Sequence, residues 1–158
     1  MIVAGTGHRP DKLGGYGNAN ARTSCIFLAH QYLVKIGATE AISGMAQGWD
    51  TFFALAALNA GLPLVAAVPF KGQETMWPDA AQDEYQSILK RATSVVYVCK
   101  GGYRRWKFLH RNEWMVNRCN RLLAMWDGTG GGTSHCVNYA AARGGIPIDN
   151  LWSEFHRP

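Results

Sequence analysis

The sequence predicts an α/β fold, a Rossmann-like three-layer sandwich around a mostly parallel sheet of five to six strands. Three observations carry this. Short apolar runs alternate with helical patterns about five times along the chain. The apolar runs lack polar alternation, as strands covered on both faces do. Glycine-rich turns stand where strands pass into helices. Parallel strands joined by right-handed helical crossovers satisfy all three. The 158 residues suit one domain over 1–158, with no repeat and no linker.

Met1 to Ala4 reads as the first buried strand, followed by a loop from Gly5-Thr6-Gly7-His8-Arg9-Pro10 to Asn18. A helix from about Ala21 to Ile36 places Cys25, Leu28, Ala29, Tyr32, Leu33 and Ile36 on one face, and Gly37 stops it. Glu40 to Ser43 is a second strand, leading through Ser43-Gly44-Met45-Ala46-Gln47-Gly48-Trp49-Asp50 into an alanine-rich helix that ends near Ala60. Asp50 reads as that helix's N-cap. Pro63 to Val68 is a third strand, and Ala80 to Ala92 a helix. Ser94 to Cys99 is a fourth strand, followed by a helix near Lys107 to Asn120. Arg121 to Trp126 is a fifth strand. Ser134 to Arg143 is a helix, and Ile146 to Ile148 begins a last strand.

Composition narrows the function. Hydrophobic residues at 47% and charged residues at 17% exclude a disordered chain. The net charge of +5 suits an anionic ligand. Cations gather between Lys100 and Arg121, where a solvated helix face and a ligand role are both open. Four cysteines without CxxC spacing signal neither a zinc site nor a redox pair, and read as small buried hydrophobes in a cytoplasmic protein. No metal or cofactor is expected. No signal-like N-terminus and no apolar run of about 18 residues occurs, so no membrane span is expected. GxxxxGK[ST], HExxH and GxSxG are all missing, which sets aside P-loop NTPases, zinc proteases and serine hydrolases of the elbow type.

In such a sheet, ligands bind beyond the carboxyl ends of the strands. Four polar, glycine-rich segments fall there: Gly5 to Pro10, Ser43 to Asp50, Gly101 to Arg105 and Asp127 to Thr133. The last is the sharpest. Gly131 and Gly132 let backbone approach an anion, and the N–H groups opening the next helix point at it. Thr133 and Ser134 add hydroxyls or cap the helix. A plain turn with a threonine cap is the alternative. Gly5-x-Gly7 resembles the start of a dinucleotide fingerprint, but proline stands at position 10 where the third glycine belongs. His8 and Arg9 stand where a phosphate or carboxylate is met, and Arg9 offers a bidentate fork. His8 has the alternative of bonding backbone. Ser43 and Gly44 are candidate ribose or phosphate contacts. Trp77 and Tyr103 are candidate stacking partners for a base. Arg111 and Asn112 face either the pocket or solvent. Among carboxylates, Glu113 and Glu84 are the candidate catalytic groups.

Taken in order, these segments, with Pro69-Phe70, Gln73, Tyr85 and Met115-Val116, resemble the SLOG superfamily and its YpsA-like branch over nearly the whole chain. The resemblance implies a Rossmann-like domain that binds a nucleotide or a nucleotide-derived ligand, including NAD-derived ones, as a sensor or sequestering protein. Other members are LOG-type phosphoribohydrolases of nucleoside monophosphates, or bind single-stranded DNA as DprA-like proteins do. The enzymes carry PGGxGTxxE. Here no proline precedes the glycines, and Cys136 stands in place of the glutamate. The phosphate-holding part is kept and a residue important to hydrolysis is not, which favours binding over turnover. The expected partner is a nucleotide-derived small molecule, with nucleic acid as a weaker alternative and a homo-oligomer as a further possibility of the fold.

Overall fold

The computed structural model describes residues 1–156. Six strands form one all-parallel sheet: β1 (Ile2–Gly7), β2 (Glu40–Ser43), β3 (Leu64–Val68), β4 (Ser94–Tyr97), β5 (Arg121–Met125) and β6 (Ile148–Asn150). Their order across the sheet is β4-β3-β2-β1-β5-β6. The chain steps outward from β1 to β4 and then returns to the far side of β1. Strand order therefore reverses between β1 and β5, where an open α/β sheet has its ligand crevice.

The helices are α1 (Ala19–Lys35), α2 (Trp49–Asn59), α3 (Asp79–Arg91), α4 (Arg105–Val116), α5 (Gly132–Arg143) and the short α6 (Trp152–Phe155). Strand residues alternate between two cores. Val3, Ala41, Leu64, Ala66, Val68, Leu123 and Met125 face the layer of α1, α2 and α3, with Cys25, Leu33, Phe53 and Ile88 packed on them. Ala4, Ile42, Ala67, Leu122 and Ala124 face Met115, Val116, Cys136 and Val137 of α4 and α5. Both sheet faces are thus covered, as the unbroken apolar strands require. Cys25, Cys119 and Cys136 are buried, while Cys99 is half-buried and all four are free thiols.

Three differences from the sequence reading have physical causes. The first strand runs on through Gly5, Thr6 and Gly7, which pair with β5 up to Gly7 opposite Met125. A Cβ on Gly5 would lie 2.6 Å from the Phe53 ring, and one on Gly7 would lie 2.5 Å from the Trp49 ring. These glycines let α2 settle on the strand, so their composition signals close packing and not a loop. The last strand begins at Ile148 instead of Ile146, because Leu122, the first β5 residue with a β6 partner, pairs with Ile148. Asp50 is not a cap. Helix α2 starts after Gly48, whose positive φ of 87° turns the chain, and Asp50 is buried in the first turn.

Candidate functional site

Beyond the carboxyl ends of β1, β2 and β5 lies a cavity of about 350 Å³. Its walls come from Gly5 to Arg9, Lys12, Ala46, Asp50, α4 and the turn Gly130 to Thr133. That turn ends β5's loop and opens α5. Gly131 takes φ of 135°, in the region that favours glycine, and a Cβ on Gly130, Gly131 or Gly132 would meet nothing within 4 Å. No side chain caps the helix. The first-turn N–H groups, which have no intrahelical partner at any helix start, are thus not taken up by a side-chain cap.

Cations approach from the opposite wall. Arg9 is exposed and stands over the Phe108 ring, with its guanidinium carbon 5.7 Å from the ring centroid. Arg111 lies 6.0 Å from the same centroid but is buried. The sequence leaves its direction open, and α4 turns it inward. Its Nη1 donates to the Gly44 carbonyl and its Nε donates to Asn112 Oδ1 at 3.0 Å. Asn112 in turn donates to the Gly132 carbonyl at 3.1 Å, which ties α4 to the start of α5. Burial lowers the Arg111 pKa, and Asp50 raises it again. Burial likewise pushes the Asp50 carboxyl above the usual range, against the pull of Arg111 and of the Ala46 N–H.

A second cluster holds the approach to the turn. His8 Nε2 lies 3.0 Å from Asp127 N and 2.8 Å from Asp127 Oδ1, accepting from the N–H in one tautomer and donating to the carboxylate in the other. Lys12 Nζ donates to Asp127 Oδ2 at 3.2 Å and also to Thr129 Oγ1. The Thr129 hydroxyl and N–H, helped by His8 and Lys12, hold the Asp127 carboxyl well below the usual carboxylate range. The loop after β1 is thereby pinned to the loop after β5.

The structure brings Gly5, Gly7, His8, Arg9, Arg111, Asn112, Gly131, Gly132 and Thr133 to this one cavity. Other sequence candidates lie elsewhere. Ser43 is fully buried, with its hydroxyl donating to the Asp50 carbonyl at 2.8 Å and accepting from Met45 N–H at 3.2 Å. Gly44 lies beneath Arg111, whose Nη1 would be 2.4 Å from an added Cβ. The segment after Ser43 is therefore a buried clasp that carries the Arg111 anchor, and Met45 there takes a positive φ of 61°. Trp77 packs edge-on against Tyr85 beside a different cavity. Tyr103 is exposed next to Phe70. Ser134 accepts from Asn138. Glu113 is 3.8 Å from His135 and does not line the cavity. Glu84 is bound by Arg22. Asp11, Lys12, Phe108 and Asp50 line the cavity too, Asp11 and Asp50 being its two carboxylates among the described residues. Lys12 had a usable signal: a lysine in the loop after β1, among glycines, at the same sheet end as Arg9.

A sequence model described as the YspA SLOG family matches residues 3–144. The chain belongs to that family. A UPF0398 protein of Bacillus cereus is 27% identical over 164 residues, covering 98% of this chain and 89% of that one. Among solved structures, the DNA processing protein A (DprA) of Streptococcus pneumoniae superposes with a TM-score of 0.69 at 19% identity. That match covers 94% of this chain, which spans only 49% of DprA. The molybdenum cofactor carrier protein of Chlamydomonas reinhardtii gives a TM-score of 0.58 at 17% identity, covering 94% of this chain and 74% of that one. At such identities the solved structures speak for the fold. The family assignment rests on the sequence match, and the site rests on the residues above.

Proposed function

We propose that this SLOG-family protein binds a nucleotide or nucleotide-derived phosphorylated molecule, with the anion in the cavity between β1 and β5, as a sensor or sequestering protein. One observation carries the reading: the uncapped glycine turn of α5, Arg9 and Arg111 line the same cavity. Backbone N–H donors and arginine forks are the two common means of holding a phosphate. The topological switch point is also where such ligands sit.

Binding is favoured over hydrolysis by two placements. Cys136, at the position of the enzymes' glutamate, is buried, and that burial pushes its thiol up to about 12. Asp50, the buried carboxylate at the cavity, is the counter-charge of Arg111. The test is a thermal-shift screen with nucleotides and NAD-derived compounds, followed by chromatography of each mixture. A ligand that binds only the native state raises Tm. The expected result is a rise with the ligand recovered intact. Release of free base would replace this reading with hydrolysis. No shift and no product would overturn it.

A second reading has its own observation. Tyr103 and Trp106 are 64% and 54% exposed, and the exposed Arg104 and Arg105 stand between them. Aromatics among cations suit single-stranded nucleic acid. A related fold, DprA of Helicobacter pylori, is described with a single-stranded DNA binding mode. This reading requires affinity for an oligonucleotide to fall steeply with salt. Binding that ignores salt removes it.

A further inference from the structure

A second cavity, of about 260 Å³, lies on the other side of the loop after β1. The two cavities are separated by a backbone crossing. A Cβ on Gly48 would lie 2.6 Å from the His8 carbonyl oxygen and 2.9 Å from Arg9 Cα, so residues 8–10 pass directly over residues 47–48. His8, Arg9 and Ala46 face the anion cavity, while Pro10, Gln47 and Gly48 face the other.

The chemistry of this second cavity differs from that of the first. Leu13, Phe52, Trp77 and Ala81 supply apolar wall. Among the described residues its one cation, Arg22, is already used. Arg22 donates to both oxygens of Glu84, at 2.9 and 2.5 Å, and lies over the Phe52 ring. The pair is neutral as a unit, so nothing there calls for an anion. Gln47 offers a carboxamide that makes no side-chain hydrogen bond among the described residues. Tyr16 stands on the rim, 63% exposed, between Gly15 and Gly17, whose added Cβ atoms would meet nothing within 4 Å. Aromatic and aliphatic walls with a few convergent polar groups suit a flat ring carrying donors and acceptors at its edge.

We infer that this cavity binds a flat, uncharged heteroaromatic ring of the nucleobase class. It rests on the proposed anion site only in taking ring and phosphate to be parts of one ligand that reaches across the crossing of residues 8–10 over 47–48.

The test uses isothermal titration with adenosine, guanosine, cytidine and uridine, their 5′-monophosphates, and ribose 5-phosphate. The variants are Ala81→Trp, which fills the cavity from a half-exposed helix position, and Gln47→Ala, which removes the carboxamide. Circular dichroism checks that both fold. At least one nucleoside should bind, its affinity falling roughly ten-fold or more in Ala81→Trp, the loss expected of one stacked base. Gln47→Ala should weaken it as well. Ribose 5-phosphate should bind both variants as it binds the unaltered protein. No nucleoside binding, or nucleoside binding unchanged in both variants, overturns the inference. A monophosphate that binds no tighter than its nucleoside overturns the single-ligand clause. Failure of ribose 5-phosphate alone removes the anion site and leaves the ring site standing.

Discussion

Two glycine-rich stretches of this chain use the same residue for opposite ends. At Gly5 and Gly7 the missing Cβ is filled by a neighbour, since the rings of Phe53 and Trp49 would sit 2.6 and 2.5 Å from it. At Gly130, Gly131 and Gly132 the missing Cβ leaves open space beside a cavity. The first pair brings a helix onto a strand. The second set leaves the start of α5 uncrowded beside the cavity. Glycine content alone does not separate the two, whereas what a methyl would touch does. Arg111 ties a third segment to that cavity, being anchored at the Gly44 carbonyl and lining the cavity beside the second set.

The largest effect is expected at that link. Arg111→Met removes one of two buried opposite charges, for which the loss is about 3–5 kcal/mol. It also leaves Asp50 without its arginine. The Asp50 carboxyl is already raised by burial, and a raised carboxylate loses stability as pH rises from the unfolded value through the folded one. Urea unfolding of the variant should therefore show a larger deficit at pH 8 than at pH 5. An equal deficit at both would remove Asp50 from the account.

Gly7→Ala comes next. The added methyl meets the Trp49 ring and its Cβ, which are fully buried and fixed in the first turn of α2. Overpacking of this kind costs about 3 kcal/mol at its upper end, with unfolding by urea as the readout. Gly132→Ala should do the reverse. It has room, its φ is not left-handed, and it opens a helix, so stability should hold or rise by up to about 1 kcal/mol. Affinity for ribose 5-phosphate should nevertheless fall, since the methyl takes up cavity space that the anion would fill. If Gly132→Ala destabilises as much as Gly7→Ala, the contrast between the two stretches collapses.

The smallest effect is a pH dependence. The Asp127 carboxyl is held low by Thr129, then by His8 and Lys12. A lowered carboxylate contributes stability that is complete above its ordinary range and is lost as pH falls through the folded value. The Tm gap between the protein and Asp127→Asn should be open at pH 6 and narrow in strong acid. A gap that is constant with pH would mean that the loop pinning does not depend on the ionised group.

Much of the fold was legible because most strands are continuous apolar runs and because α1, α2 and α5 stop at Gly37, Gly61 and Gly144. All six strands and five of the helices follow from that pattern. Helix α6 escaped, being one turn of Trp152 to Phe155 with no periodicity to read. The cavity was only partly legible. Gly131, Gly132, Arg9 and Arg111 stand near it in sequence pattern and in space. Ser43 looked like a contact because it ends a strand, yet its hydroxyl is consumed by the backbone of α2 and of Met45. Trp77 and Tyr103 carry no signal in sequence for which side of the sheet end they occupy. The pairing of Asp50 with Arg111, sixty-one positions apart, is set by tertiary packing alone.

On the proposed function, the glycine turn of α5 holds the anion with its backbone. An amide-resolved NMR titration with ribose 5-phosphate tests this most directly. The N–H resonances of residues 130–133 should move together, saturate at one affinity, and lose that response in Gly132→Ala. Resonances of that turn that stay still while others respond, or a spectrum unmoved throughout, would contradict it.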